Sequence, residues 1–165
     1  MDTLGSIHVV FGLCALVIGT LVVLIRKGTR FHRAIGHGYF ASMLGLNVTA
    51  LLIYRVTGKF NFFHAAALFS LMCIFIGIGS VVLLRPKKLW LERHAYFMGG
   101  SYVGLVAAAA SEVTSRVPGW PLGVAVGLTT TIVVSSGVVF LLRRTPPALE
   151  RLRPGQHVRK EDSPG

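Results

Sequence analysis

The residues best suited to chemistry in this chain of 165 residues are its six histidines. Five lie near the ends of long apolar stretches, and the sixth, His157, lies in the polar C-terminal segment. Imidazole nitrogens are common axial ligands of haem iron, and they also bind zinc and non-haem iron. Histidines that meet inside an apolar protein could therefore hold a redox cofactor or a metal ion. The five are His8, His32, His37, His64 and His94.

Other familiar catalytic and binding patterns are missing from the sequence. It has no phosphate-binding glycine loop, no recognisable Ser-His-Asp arrangement and no C-x-x-C pair. The net charge of +11 does not indicate a nucleic-acid partner, because Lys and Arg fall in short clusters between apolar runs. We therefore expect membrane lipid, and no nucleic acid, as the partner of this chain.

The elements that must position the histidines are membrane-spanning helices. The chain is 53% hydrophobic and 14% charged, a composition typical of integral membrane proteins. A spanning helix needs about 20 mainly apolar residues, and five runs qualify. The sequence thus predicts an all-α membrane protein whose first four helices form an up-down four-helix bundle. The predicted spans are Leu4–Ile25, Ala34–Tyr54, Phe60–Leu84, His94–Ser111 and Val117–Leu142.

The basic residues predict how the helices are oriented. Fourteen of the 17 Lys and Arg residues follow the first, third or fifth span. By the positive-inside rule, the N-terminus lies outside and the C-terminus inside, as in a multi-pass protein of the inner membrane. Residues 1–144 would form the membrane domain, and the basic, proline-rich residues 145–165 a disordered cytoplasmic tail.

This predicted topology places each histidine at either the outer or the inner side of the membrane. His8 and His64 start the first and third helices at the outer side, and His94 starts the fourth at the inner side. The second helix offers either His32 or His37 at the inner side, and the sequence does not choose between them. Since the first and third helices face each other diagonally, as do the second and fourth, we expect one histidine pair at each face.

Helical spacing places small residues beneath one of these histidines. Gly12, Ala15 and Gly19 follow His8 on the same helix face. Such a stripe leaves room either for a flat, bulky group or for a close helix neighbour.

A second face runs along the fourth helix from His94. It carries Ser101 and ends at Glu112, about 27 Å further along the axis. An ionisable residue at that position is a candidate functional group near His8. The alternative is an ion pair between Glu112 and Arg116 one turn later.

Two histidines on facing helices can hold a haem, and six-coordination by two imidazoles favours electron transfer. Two such sites near opposite faces would carry electrons across the bilayer, between a quinol or another reductant and an acceptor. Cationic side chains at the inner face could hold the haem propionates, and small residues could line the site. These candidates are Arg30, Arg33, Arg93, Gly12 and Ser101.

The chain resembles two known families. The pairing on helices one and three and on helices two and four is similar to that of transmembrane di-haem b cytochromes of the b561 type. That resemblance implies haem b as cofactor, with His8, His64, His37 and His94 as axial ligands. The stretches KGTRFHRAIGHGYF, LNVTALLIYRVTGKFNFFH and SYVGLVAAAASEVTSR more closely resemble an uncharacterised bacterial family of small predicted membrane proteins, which brings no established activity.

Two other functions fit the same residues. His8, His64 and Glu112 could form an outer Zn or Fe site with an open coordination position, suited to hydrolysis or oxidation of a lipid. Alternatively, the histidines could all be interfacial residues of a non-catalytic membrane subunit. Gly123 and Gly127, in small-xxx-small spacing, predict that the fifth helix either packs closely within the protein or forms a homodimer.

Overall fold

The computed structural model describes residues 3–53, 58–84 and 89–152, and within these ranges the chain is entirely helical, without a strand. The all-α prediction and the number of helices are confirmed. The helices are α1 (Thr3–Leu24), α2 (Arg30–Leu52), α3 (Phe62–Leu83), α4 (Trp90–Thr114) and α5 (Leu122–Leu152).

Consecutive helices are antiparallel neighbours. His8 near the start of α1 contacts Thr49 near the end of α2, and His94 near the start of α4 contacts Gly77 in the second half of α3. Contacts between α1 and α4 close the first four helices into a ring, and α5 packs along α4. This is the arrangement of an up-down four-helix bundle with one added helix.

Three helices, α1, α3 and α5, are long and apolar enough to cross a membrane among the residues described. In contrast, α2 and α4 are less apolar because they carry the basic residues and many of the polar side chains of the interior. Both are nevertheless at least as long as α1, at 23 and 25 residues. The predicted five spans and their inside-outside orientation stay predictions.

Helix α2 begins earlier than the sequence predicted. Its N-cap is Thr29, whose side chain accepts a hydrogen bond from the backbone N–H of His32. A threonine in this position satisfies one of the N–H groups that a helix start leaves without a partner. His32 therefore lies in the first turn of α2 and not before the helix.

Helix α5 begins after the turn at Gly119, which adopts a positive φ of 85°. It continues to Leu152 and includes Pro146 and Pro147. Residues 145–152, predicted as the start of a disordered tail, are thus helical. The rest of that tail, with His157, lies outside the described residues.

The surface and interior of the molecule suit a lipid environment. Large apolar side chains lie exposed on every helix, as Leu24 does at 76% and Leu83 at 78%. The interior, by contrast, contains several polar side chains. Helices in membranes use such groups to hydrogen-bond to one another and to the backbone. These buried residues are Ser42, Asn47, Thr49, His64, Ser80, Ser101 and Ser111.

A packed layer fills the middle of the bundle. Its buried apolar residues come from all four helices of the ring, and they separate the polar groups at the two ends of the bundle. They are Ala15, Tyr39, Met43, Ile74 and Leu105.

Candidate functional site

The histidines lie at two levels of the bundle. We call one level the basic end, where α1 and α3 finish and α2 and α4 begin. It contains Arg26, Lys27, Arg30, Arg33 and Arg93. We call the other level, where α1 and α3 begin and α2 and α4 finish, the opposite end.

At the basic end, His94 is oriented by the backbone of the neighbouring helix. Its Nδ1 lies 3.0 Å from the carbonyl oxygen of Gly77. A carbonyl can only accept a hydrogen bond, so Nδ1 carries the proton and the lone pair of the neutral ring is on Nε2. Histidines that bind metals commonly have their other ring nitrogen held by a carbonyl in this way.

His32 lies at the same level as His94, on the diagonal helix. The two imidazoles are near enough to interact electrostatically, and the ammonium group of Lys27 acts on His32 as well. The Nδ1 atom of His32 is buried and has no hydrogen-bond partner among the described residues. Buried polar atoms are rarely left in this state, and each one requires an explanation.

Lys27 holds a positive charge beside this pair. Its Nζ donates hydrogen bonds of 2.6 Å to the carbonyl oxygens of Val22 and Val23, which lie in the last turn of α1. A lysine in this position satisfies carbonyls that the helix end leaves without partners. Burial lowers the pKa of Lys27 from its usual value because water no longer solvates the charge fully.

The structure places His37 on a different face of α2 from His32. Its side chain is exposed on the outside of the bundle. The reason is helix geometry: five residues correspond to a rotation of about 140° between the two side chains. The imidazole of α2 that lies within electrostatic range of His94 is therefore His32.

The three arginines predicted to hold propionates also lie at the basic end. Arg30 and Arg33 are in the first turns of α2, and Arg93 precedes His94 in α4; all three are exposed. The first turn of α2 contains no acidic residue, whereas Glu92 directly precedes Arg93 in the first turn of α4. The placement of the three arginines suits anionic groups at this level, although their predicted role is untested.

At the opposite end, His8 connects α1 to α2. Its Nδ1 lies 3.0 Å from the hydroxyl oxygen of Thr49. That hydroxyl donates its own proton toward the carbonyls of Gly45 and Leu46, at 2.8 and 2.9 Å, so it accepts from His8. The Glu112 carboxylate of α4 is close enough to act electrostatically on His8.

His64 forms part of the start of α3. Its side chain is 1% exposed, and its Nδ1 lies 3.3 Å from the backbone N–H of the N-cap residue Asn61. The Asn61 side chain accepts in turn from the N–H of Phe63 at 2.9 Å, and the imidazole packs against the ring of Phe60. This reciprocal capping gives His64 a structural role in the helix start.

The predicted outer metal site combines His8, His64 and Glu112. No group of three His, Cys, Asp or Glu side chains that could hold a metal ion occurs in ranges 3–53, 58–84 and 89–152. His8 and His64 lie on diagonal helices, and the exposed Glu112 forms an ion pair with Arg116. The cluster of His8, His64 and Glu112 stays a prediction without support from the geometry.

The stripe of small residues below His8 is occupied by neighbouring side chains. A Cβ atom on Gly12 would lie 3.5 Å from Leu46, in ordinary contact. One on Gly19 would lie only 2.7 Å from the ring of Tyr102 and 2.9 Å from that of Tyr39. Of the two alternatives, the structure therefore shows close helix neighbours, and a flat cofactor does not fit along this stripe.

Ser101 connects helices and does not face an open site. It is 2% exposed, and its hydroxyl donates to the carbonyl of Met98 at 2.8 Å. The hydroxyl of Tyr39, 3.0 Å away, donates to it from α2. The predicted contact between Ser101 and a cofactor stays a prediction.

The sequence reasoning missed two features near the basic end. Tyr102 makes a 2.7 Å hydrogen bond with Thr20, which ties α4 to α1. Gly77 accepts the bond from His94, yet nothing in its sequence context marks it among the 19 glycines. The spacing of seven residues between His32 and Tyr39 does indicate a shared helix face and could have favoured His32 over His37.

Fold and surface together define a helical membrane protein with several apolar helices. Residues 5–145 match the family described as predicted membrane protein (DUF2306), so the chain belongs to this family, whose function is unknown. The predicted resemblance to a family of small membrane proteins is thereby confirmed. No curated protein and no solved structure matches the chain, and the resemblance to b561-type cytochromes stays a prediction.

Proposed function

We propose that this protein is a membrane electron carrier that holds a single haem b at the basic end through His32 and His94. The observation that carries the proposal is that His32 and His94 lie at one level of the bundle, on diagonal helices, and within electrostatic range of each other. One ring has its tautomer fixed by a backbone carbonyl, and the other has a buried nitrogen without a partner among the described residues. A haem bound between the two rings would be coordinated by the free electron pair that the first feature leaves on Nε2 of His94, and would give the buried imidazole of His32 a partner.

Bound haem would supply a one-electron couple between ferric and ferrous iron, and ligation by two imidazoles favours electron transfer. The chain's own residues would contribute three things. His32 and His94 would provide the ligands, the Gly77 carbonyl would orient one of them, and the exposed arginines of the basic end would pair with the propionates.

The geometry supports one haem and not two. At the opposite end, His8 hydrogen-bonds to Thr49, His64 caps α3, and Leu46 packs against Gly12 one turn below His8. A single site would exchange electrons at one level of the membrane. Its donor would be a quinol or another reductant that reaches the protein from the lipid.

The proposal is tested by spectroscopy of the full chain purified in detergent and supplied with haem. We expect a Soret band, with α and β bands that sharpen on reduction by dithionite. His32→Ala and His94→Ala should each abolish the reduced spectrum. His37→Ala is the matched control, because this histidine lies on the same helix but is exposed, and its spectrum should be unchanged.

Three results would overturn the proposal. The wild-type chain could remain colourless in the presence of haem. His32→Ala and His94→Ala could both keep the full reduced spectrum. The spectrum could also be lost only in His8→Ala and His64→Ala, which would move the site to the opposite end and favour the predicted outer ligands.

A further inference from the structure

Helices α3 and α4 pack directly against each other at Gly77. A Cβ atom on this glycine would lie 2.6 Å from the sulfur of Met98, 2.8 Å from its Cγ and 3.4 Å from its backbone nitrogen. The first two distances are shorter than real Cβ contacts, so either the Met98 side chain or the helix would have to shift, whereas the third is an ordinary van der Waals contact. The glycine is buried, and the absence of a side chain leaves room for Met98 against it.

The same approach brings the Gly77 carbonyl to His94. Met98 and His94 are four residues apart, so they lie on one face of α4, one turn from each other. The methionine packs over Gly77 while the imidazole Nδ1 reaches the carbonyl oxygen at 3.0 Å. A change in the distance between the helices at Gly77 must therefore alter the hydrogen bond to His94.

We infer that Gly77 is a positioning residue that fixes the tautomer of His94. Its missing side chain sets the helix spacing, and its carbonyl keeps the proton of the neutral ring on Nδ1 and the lone pair on Nε2. The effect on haem rests on the proposed function, whereas the effect on the tautomer does not.

A longer or lost hydrogen bond has a defined chemical consequence. Without the carbonyl, the neutral imidazole can exchange its proton between the two nitrogens, and the ring becomes less basic as a ligand. Partners of this kind typically change metal affinity by about 10- to 100-fold when they are removed. A less basic ligand also stabilises ferric iron less, so the reduction potential rises.

The test compares three variants of the full chain. Gly77→Ala introduces the methyl group that meets Met98. Gly79→Ala is the control. A Cβ atom at Gly79 would meet no atom within 4 Å other than those of its chain neighbours and the backbone of its own helix. Gly77→Ala combined with Met98→Ala removes the two side-chain atoms that the new methyl group would meet, and should restore the helix spacing.

The first measurement uses protein without haem. In nitrogen-15 NMR of histidine-labelled protein, His94 should appear as the Nδ1–H tautomer in the wild type, in Gly79→Ala and in the double variant. Gly77→Ala should show a mixture of both tautomers. An unchanged Nδ1–H signal in Gly77→Ala, with the protein folded, would overturn the inference whether or not haem binds.

The second measurement uses haem titration and redox potentiometry. Gly77→Ala should bind haem about 10- to 100-fold more weakly than the wild type, with a more positive potential, and the double variant should recover both values. Loss of haem in the double variant as well would show that Gly77 acts only through folding, and would overturn the inference. If the tautomer changes while no variant, including the wild type, binds haem, the proposed function fails and the positioning role stands.

Discussion

The two ends of the bundle contain the same residue type at matching levels but use it differently. At the opposite end the imidazoles of His8 and His64 take part in hydrogen bonds that hold helices together or start them. At the basic end His94 also hydrogen-bonds to a neighbouring helix, through the Gly77 carbonyl, whereas His32 has a buried nitrogen without a partner among the described residues. The comparison separates His32, whose imidazole takes no part in a helix cap, from His64, whose imidazole does.

Helix capping explains much of this difference. The start of α3 is capped by Asn61 together with the ring of His64, so that imidazole belongs to the cap. The start of α2 is capped by Thr29, which accepts from the backbone N–H of His32 and leaves the imidazole out of the cap. Both histidines thus lie three residues after an N-cap residue, but only the imidazole of His64 takes part in the cap.

We expect the largest effect on stability from a substitution that disrupts the packed layer in the middle of the bundle, between its two ends. Gly19→Leu would force a side chain into the rings of Tyr39 and Tyr102, where even a Cβ atom is too close. We expect the free energy of unfolding to fall by about 3 kcal/mol, the upper range for overpacking a core. Thermal unfolding in detergent checks this, with Gly79→Leu as the control at an open position. Equal melting temperatures for the two variants would contradict the packing described here.

A smaller effect on the free energy of unfolding should distinguish His64 at the opposite end from His32 at the basic end, in the protein without haem. His64→Leu removes a capping partner and should lower the free energy of unfolding by about 1–2 kcal/mol. His32→Leu removes a buried nitrogen that has no hydrogen-bond partner among the described residues. The free energy of unfolding should therefore stay within about 0.5 kcal/mol of the wild-type value or increase. Chemical denaturation of both variants measures the difference. The reverse order of stabilities would mean that His32, and not His64, is the structural histidine.

The smallest effect is expected at Glu112. Its ion pair with Arg116 joins side chains that are 65% and 70% exposed, and pairs of this kind contribute about 0.5 kcal/mol or less. Glu112→Gln should therefore leave both the melting temperature and haem retention nearly unchanged. A marked loss of bound metal in this variant would instead support the predicted outer site of His8, His64 and Glu112.

Much of the fold could be predicted from local patterns in the sequence. Apolar runs of about 20 residues identify helices one at a time, and Gly and Pro mark the turns between them. The predicted run Leu4–Ile25 and the observed helix Thr3–Leu24 differ by one residue at each end. The starts of α2 and α4 were less accurate, because basic and aromatic residues precede their apolar runs while still belonging to the helix.

The candidate site could be predicted only in part. Levels of the histidines follow from distance along each helix, which the sequence determines, and the ion pair of Glu112 with Arg116 follows from their spacing of four residues. The filling of the small-residue stripe by Tyr39 and Tyr102 does not follow, because those side chains come from other helices. Nor does the hydrogen bond between His8 and Thr49, which are 41 residues apart.

The sequence by itself determined that this chain is a helical membrane protein with a basic end and with histidines at two levels. The tertiary structure decided that His37 is exposed while a nitrogen of His32 is buried, and that Gly77 accepts the hydrogen bond from His94. The physical reason is that sequence spacing sets the height and the relative angle of side chains on one helix. The rotation of each helix about its axis, and its distance from a neighbour, depend on packing between helices, as at Gly77 and Met98.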